Sequence, residues 1–351
     1  MKTLFSKSAE NNGGYPSAVI SPVVSCFLKE CRLLVIFLIM ALPLKLFAQA
    51  PTLSYSSPQT YVIGTAITAL VPTSSNIAAQ AYKSIPSVIG SGFPALLGIA
   101  VDAAGNVYMA SGDNAIYKIP AGSGTPVIIA SGFLLAEGVA VDAAGNVYVA
   151  DDGKSAVYKI PAGNGTPVSI GSGFIKPAGI AVDAVGNVYV TDLGNSAVYK
   201  IPGGNGTPVR IGSGFFNPCG VAVDASGNVY VADFGNSAVY KIPVGNGAAV
   251  SIGSGFAEPL GVAVDAAGNV YVTDISYNAV YEIPAGSGTP VSIGSGFGSD
   301  FNGPTFVAVD AAGNVYVSDF SNHAVKKISP LGGYYINAFS PFNPSLPAGI
   351  S

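Results

Sequence analysis

From residue 96 to residue 328 the chain runs in short apolar bursts parted by clusters of Gly, Asn, Asp, Ser and Pro. One stretch shows the pattern. Residues 179–182 are apolar on both faces, as an innermost strand would be. Residues 187–191 alternate Val with polar or aromatic positions, 197–201 repeat that alternation, and 208–211 form a shorter burst. Between them lie turn residues. Asp183 is placed to bond its own backbone, and Gly186 takes a positive φ at no steric cost. The stretch therefore predicts four short strands joined by tight turns. With 45 Gly and 25 Pro in 351 residues, no long helical register survives.

The stretch repeats. Val-Asp-Ala-x-Gly-Asn-Val-Tyr occurs six times, with its Asp at 102, 142, 183, 224, 265 and 310. Four strands in a unit of about 40 residues, arrayed radially, is the signature of a β-propeller. The sixth unit lacks its fourth strand: after Ala324–Ile328 the chain continues into Ser329-Pro330-Leu331-Gly332. A match stands before the first unit, where residues 86–93 (PSVIGSGF) copy residues 167–174 (PVSIGSGF). Residues 84–89 are therefore expected to complete the sixth blade as its outer strand. The fold expected is all-β, a six-bladed propeller of four-stranded antiparallel blades closed by an N-terminal strand.

The units resemble NHL repeats, in Val-Asp, in Gly-Asn-x-Tyr-Val-x-Asp, and in Asn322-His323-Ala324-Val325 of the sixth. Other units depart, with Asn195-Ser196, Asn236-Ser237 and Lys154-Ser155 at that place. The resemblance covers residues 84–330 and is similar in flavour to propeller sensor domains of bacterial receptor kinases. The flanks, 51–83 and 331–351, resemble pieces of bacterial immunoglobulin-like modules, each too short for a whole sandwich.

Composition adds a compartment. Residues 33–44 (LLVIFLIMALPL) follow Lys29 and Arg32 and precede Ala48-Gln49-Ala50, so residues 1–50 read as a signal peptide or N-terminal anchor. The expected setting is secreted, periplasmic or cell-surface, with membrane contact only through an uncleaved anchor. Cys26 and Cys31 lie in that leader, which leaves Cys219 alone and no internal disulfide beyond it. After the leader the chain carries ten basic and seventeen acidic side chains. That balance excludes a nucleic-acid partner, which needs a basic surface.

Comparing units inside the chain points to one face. The first-to-second and third-to-fourth turns are nearly identical in all blades and share one edge of the ring. The other two connections vary and share the opposite face, where recognition on a rigid scaffold usually resides. Candidate binding residues there are Asp152, Lys154, Lys176, Leu193, Phe216, Phe234, Ile275, Tyr277, Asp300, Phe301, Asn302, Phe320 and His323. Asp151, Asp192, Asp233, Asp274 and Asp319 recur at one position. Their local reading is turn capping; the alternative is a ring of carboxylates for a cation such as Ca²⁺. His323 sits where the repeat itself puts His and reads as a turn residue.

The function expected is a non-catalytic binding or scaffold propeller of the cell envelope, monomeric and without cofactor, recognising a protein, peptide or glycan. The alternatives are a spacer in an adhesin-like protein and a metal-dependent enzyme resembling gluconolactonases or streptogramin lyases. Catalysis is set aside because the innermost strands read as Gly, Ile, Ala and Val with no inward Glu or Asn, and because the chain has one His.

Overall fold

The computed structural model describes residues 81–83, 85–122, 124–163, 165–286, 288–293 and 301–331, and the backbone of two short strands before them. The leader, most of both flanks, Ser84 and Asp300 lie outside the described residues. Two units are separable, residues 1–78 and 79–351. In the first, Thr52–Ser54 pairs antiparallel with Thr73–Ser75.

The second unit is the propeller. Blade one is Leu96–Val101, Val107–Ser111, Ala115–Ile119 and Val127–Ser131, each strand antiparallel to the one before it. Blades two to five repeat this order, starting at Ala136, Pro177, Pro218 and Pro259. Blade six is Pro304–Val309, Val315–Asp319 and Ala324–Ile328, with Ser87–Ser91 as its outer strand. Ring closure is thus as expected, but its strand starts three residues later than the 84–89 reading. Register fixes the shift: Val325 faces Gly90, and Lys327 faces Ser87. Residues 81–83 continue the seam, with Tyr82 bridged to Pro330. Among the described residues the remaining regular structure is two single 3-10 turns, Asp152–Lys154 and Pro202–Gly204. Among them, no helix is long and apolar enough to cross a membrane.

The repeated motif has a local reason. Asp102 Oδ1 accepts from the backbone N–H of Ala104 (3.0 Å) and Asn106 (2.9 Å). Its Oδ2 accepts from Asn106 Nδ2 (2.7 Å) and the Tyr108 hydroxyl (3.0 Å). Asn106 Oδ1 then takes the N–H of Ala121, tying the first turn to the third. The first four of these bonds recur around Asp142, Asp183, Asp224, Asp265 and Asp310. The core lies between blades, where the Tyr of one second strand packs on the next sheet, as Tyr148 does with Ile180, Val188 and Phe174. In blades one to five a buried Phe meets a third-strand Tyr edge to face, with Phe174 and Tyr199 5.7 Å apart.

Innermost strands approach so closely that five of them carry Gly at the contact. A Cβ on Gly138 would lie 2.2 Å from the Ala178 carbonyl oxygen, and one on Gly179 2.2 Å from that of Cys219. Blade six has Phe306 there instead, half-buried against the cluster of Ile99 and Val107 at the seam with blade one.

Candidate functional site: the mouth of the channel on the variable face

Five buried aspartates hold the variable connections in place. Asp192 accepts from the N–H of Ile175 (2.9 Å), Lys176 (3.0 Å) and Asn195 (3.1 Å), and from Asn195 Nδ2 (2.8 Å). Asp151, Asp233 and Asp274 do the same for their own pairs of loops. Asp319 takes the N–H of Asn302 and Asn322 Nδ2, and pairs with Lys326 at 2.6 Å. All five have no exposed surface. Their oxygens face N–H donors of the loops, so the cation-ring alternative gives way to turn capping. Blade one has Ser111 at this place.

On this frame each innermost strand begins with an irregularity. Ala136 faces Asp151 and Gly138 faces Ala150, so Glu137 is an extra residue in the ladder. Cys219 is the extra residue between Pro218 and Gly220. The other four blades shift register at the same point. A bulge re-aims the side chain it carries. Here it takes the second residue of each inner strand out of the ladder at the channel mouth: Leu97, Glu137, Ala178, Cys219, Leu260 and Thr305. An open hollow of about 570 Å³ lies at this mouth, lined by Lys176, Leu193, Asn217, Cys219, Phe234 and Leu260.

Glu137 is the residue that sequence reasoning missed. Starting the inner strand at Gly put Glu137 in a loop, and a bulge has no signature in alternation. Its signal was comparative: it is the one acid at a position otherwise Leu, Ala, Cys, Leu and Thr. Burial pushes its carboxyl up to about 7; the Asp152 charge adds to the rise and Lys176 opposes it. Burial likewise pushes the Cys219 thiol up to about 12, with the charges of Glu137 and Asp233 adding. The thiol stays protonated and unreactive. Asp152 is also raised, by burial first and then by Asp151 and Asp192, against Lys176.

The candidates divide. Lys176, Leu193 and Phe234 line the hollow. Lys154, Phe216, Tyr277, Asn302, Phe320 and His323 are exposed, and Asp152 and Ile275 are half-buried. Leu134 and Ile175 add exposed apolar surface beside Phe216, from the connections entering blades two, three and four. Phe301 is a correction. It is buried at 5% and takes the aromatic place of its blade, under Lys326 at 5.1 Å, because this third strand has Lys where others have Tyr. Asp300 lies outside the described residues. His323 has φ 52° and donates its N–H to Phe320, in the left-handed turn position that Ser196, Ser237 and Asn278 also fill.

The NHL repeat model matches residues 216–241, 256–279 and 301–328. The chain carries NHL repeats. No curated protein matches it. Among solved structures, it is similar to a gluconolactonase from Xanthomonas campestris at 15% identity and a TM-score of 0.60, over 70% of this chain and 89% of that one. It is similar to a streptogramin B lyase at 14% identity and 0.54, over 72% of this chain and 97% of that one. A chain of a nidogen/laminin complex aligns at 21% identity and 0.53, over 56% of this chain and 79% of that one. At these identities the likeness shows the fold. The same fold carries a gluconolactonase and a streptogramin B lyase, which corrects the expectation that this chain is not an enzyme to this extent: the fold is compatible with catalysis. One of its two premises fails as well, since the inner strand Ala136–Val141 carries Glu137, while the single His stands as read.

Proposed function

We propose that the chain is a ligand-binding propeller of the bacterial cell envelope, exported by its leader, which takes a protein, peptide or glycan on the variable face. One observation carries the reading: five of the six blades hold their loops by the same buried aspartate, while the residues exposed on that frame differ from blade to blade around a hollow. A rigid scaffold with unlike tips is how recognition surfaces are built. The apolar run at residues 33–44, behind Lys29 and Arg32, supports the setting.

The test is a glycan and envelope-protein binding screen on three forms of the full chain. These are the wild type, Phe216→Ser with Tyr277→Ser, and Val185→Ser with Val244→Ser. Val185 and Val244 are the exposed apolar residues of the turns on the opposite edge, at 79% and 65%. The reading expects the first pair to weaken the best hit about tenfold or more and the second to leave it unchanged. Equal binding by all three forms contradicts it.

Glu137 favours a second reading. A carboxyl that titrates near pH 7 at the mouth of a channel is suited to giving and taking a proton. Under this reading the purified chain opens a sugar lactone, the substrate class that the name gluconolactonase implies, and Glu137→Gln abolishes turnover. Lactone opening that is unchanged in Glu137→Gln removes it.

A further inference from the structure

The two faces of the ring differ in charge as well as in sequence. Among the described residues, the variable face has nine carboxyl groups: the five buried aspartates with Asp113, Glu137, Asp152 and Glu258. Against them stand Lys154, Lys176, Arg210, which donates to the Ser196 carbonyl of a variable turn, and Lys326 paired with Asp319. On the opposite face the six turn aspartates and Glu282 meet Lys118, Lys159, Lys200, Lys241 and Lys327, each stacked on its blade's Tyr at 5.2–5.4 Å. Charge comes closer to balance there. At the mouth it does not, and Glu137, Asp152 and Cys219 each resist ionisation partly because of neighbouring carboxylates. The same face exposes Leu134, Ile175, Phe216 and Tyr277 above half of their surface. These spread across the loops of four blades, wider than a hollow of about 570 Å³, so a small molecule in the hollow would leave most of them uncovered.

We infer that the variable face docks a peptide segment rich in both apolar and basic residues, its apolar side chains on Phe216, Leu193 and Phe234 and its cations beside Asp152 and Glu137. This rests on the proposed binding face and names its ligand class. Apolar area supplies the affinity, and the acidic field selects the partner and speeds its arrival. An acidic segment meets the opposite field and is rejected.

The test titrates the full chain with two short fluorescent peptides, one alternating Leu and Lys and the other alternating Leu and Glu. The Leu/Lys peptide is expected to bind at least about tenfold tighter. Phe216→Ser with Tyr277→Ser, and Glu137→Gln with Asp152→Asn, should each weaken it about fivefold or more, while Val185→Ser with Val244→Ser leaves it unchanged. Far-ultraviolet circular dichroism checks that each variant is folded. Tighter binding of the Leu/Glu peptide that still depends on Phe216 and Tyr277 overturns the ligand class and leaves the binding face standing. Binding of the Leu/Lys peptide that no face variant alters overturns both. No binding of either peptide overturns the inference, and the separate screen then judges the face.

Discussion

Glu137 and Glu282 each stand where the six-fold pattern puts something else. Glu282 occupies the third-strand position at which five blades place Lys over Tyr. In blade five the underlying Tyr271 instead meets the hydroxyl of Tyr82 at 2.9 Å. Glu282 is 1% exposed, and its Oε2 has no hydrogen-bond partner. Burial, and then the Asp265 charge, pushes it from the ordinary 4.5 up to about 7. A carboxyl raised in the folded state favours folding below its unfolded value, and that contribution is lost as pH rises through the folded one. The thermal midpoint of the wild type should therefore fall between pH 5 and pH 8. In Glu137→Gln with Glu282→Gln the fall should shrink, with Glu282 supplying ~1–3 kcal/mol of the recovery at pH 8. Calorimetry at the two pH values decides it, and an undiminished fall in the double variant would refute the assignment. Of these two residues Glu282 was legible in the sequence, as a break in Ala-Val-Tyr-Lys-Ile. Its burial was not, because the chain segment that reaches its strand partner Tyr271, at Tyr82, lies 189 residues away and arrives only by ring closure.

At the level of the element, strand identity and order were legible because the turn chemistry repeats: one aspartate fixes one turn in every blade. What the sequence hid was where each inner strand starts. Its first residues pair only after a bulge, so a Gly that looks like a strand opener is a contact point between blades. Thr191 shows the cost of that closeness being met. It accepts from Gly179 N–H at 2.7 Å and donates to the Cys219 carbonyl at 2.5 Å, linking blades three and four. Thr273 repeats the link between blades five and six. Gly138→Ala should accordingly destabilise far beyond the usual effect of a methyl, by about 3 kcal/mol or more, because backbone rather than a movable side chain stands in the way. Phe306→Leu, which only trims a half-buried side chain at the seam, should cost about 1 kcal/mol. Denaturant unfolding of the two variants tests the contrast, and a mild Gly138→Ala would show that the inner strands separate freely. Phe301 was misread for a related reason: the insertion before blade six lengthens the connection, and only packing under Lys326 shows where the buried aromatic falls.

Across the whole molecule, closure by Ser87–Ser91 makes the ring continuous, so neither face is interrupted at the seam. Repetition then gives the two faces different tasks. One carries the Asp-Asn-Tyr networks and balancing lysines; the other carries unlike residues on a common buried frame, with an excess of carboxylates. The ring and the choice of face followed from comparing units along the chain. The acid at the channel mouth did not, since that comparison treated Glu137 as part of a loop. The most direct measurement is amide hydrogen exchange of the full chain, with and without the tightest ligand from the binding screen. Slowed exchange at Leu134–Glu137, Ile175–Lys176, Phe216–Asn217 and Leu193–Gly194, with the opposite turns unchanged, is the predicted result. Slowed exchange confined to the opposite turns, at Asp183–Asn187 and Asp224–Asn228, would contradict the account.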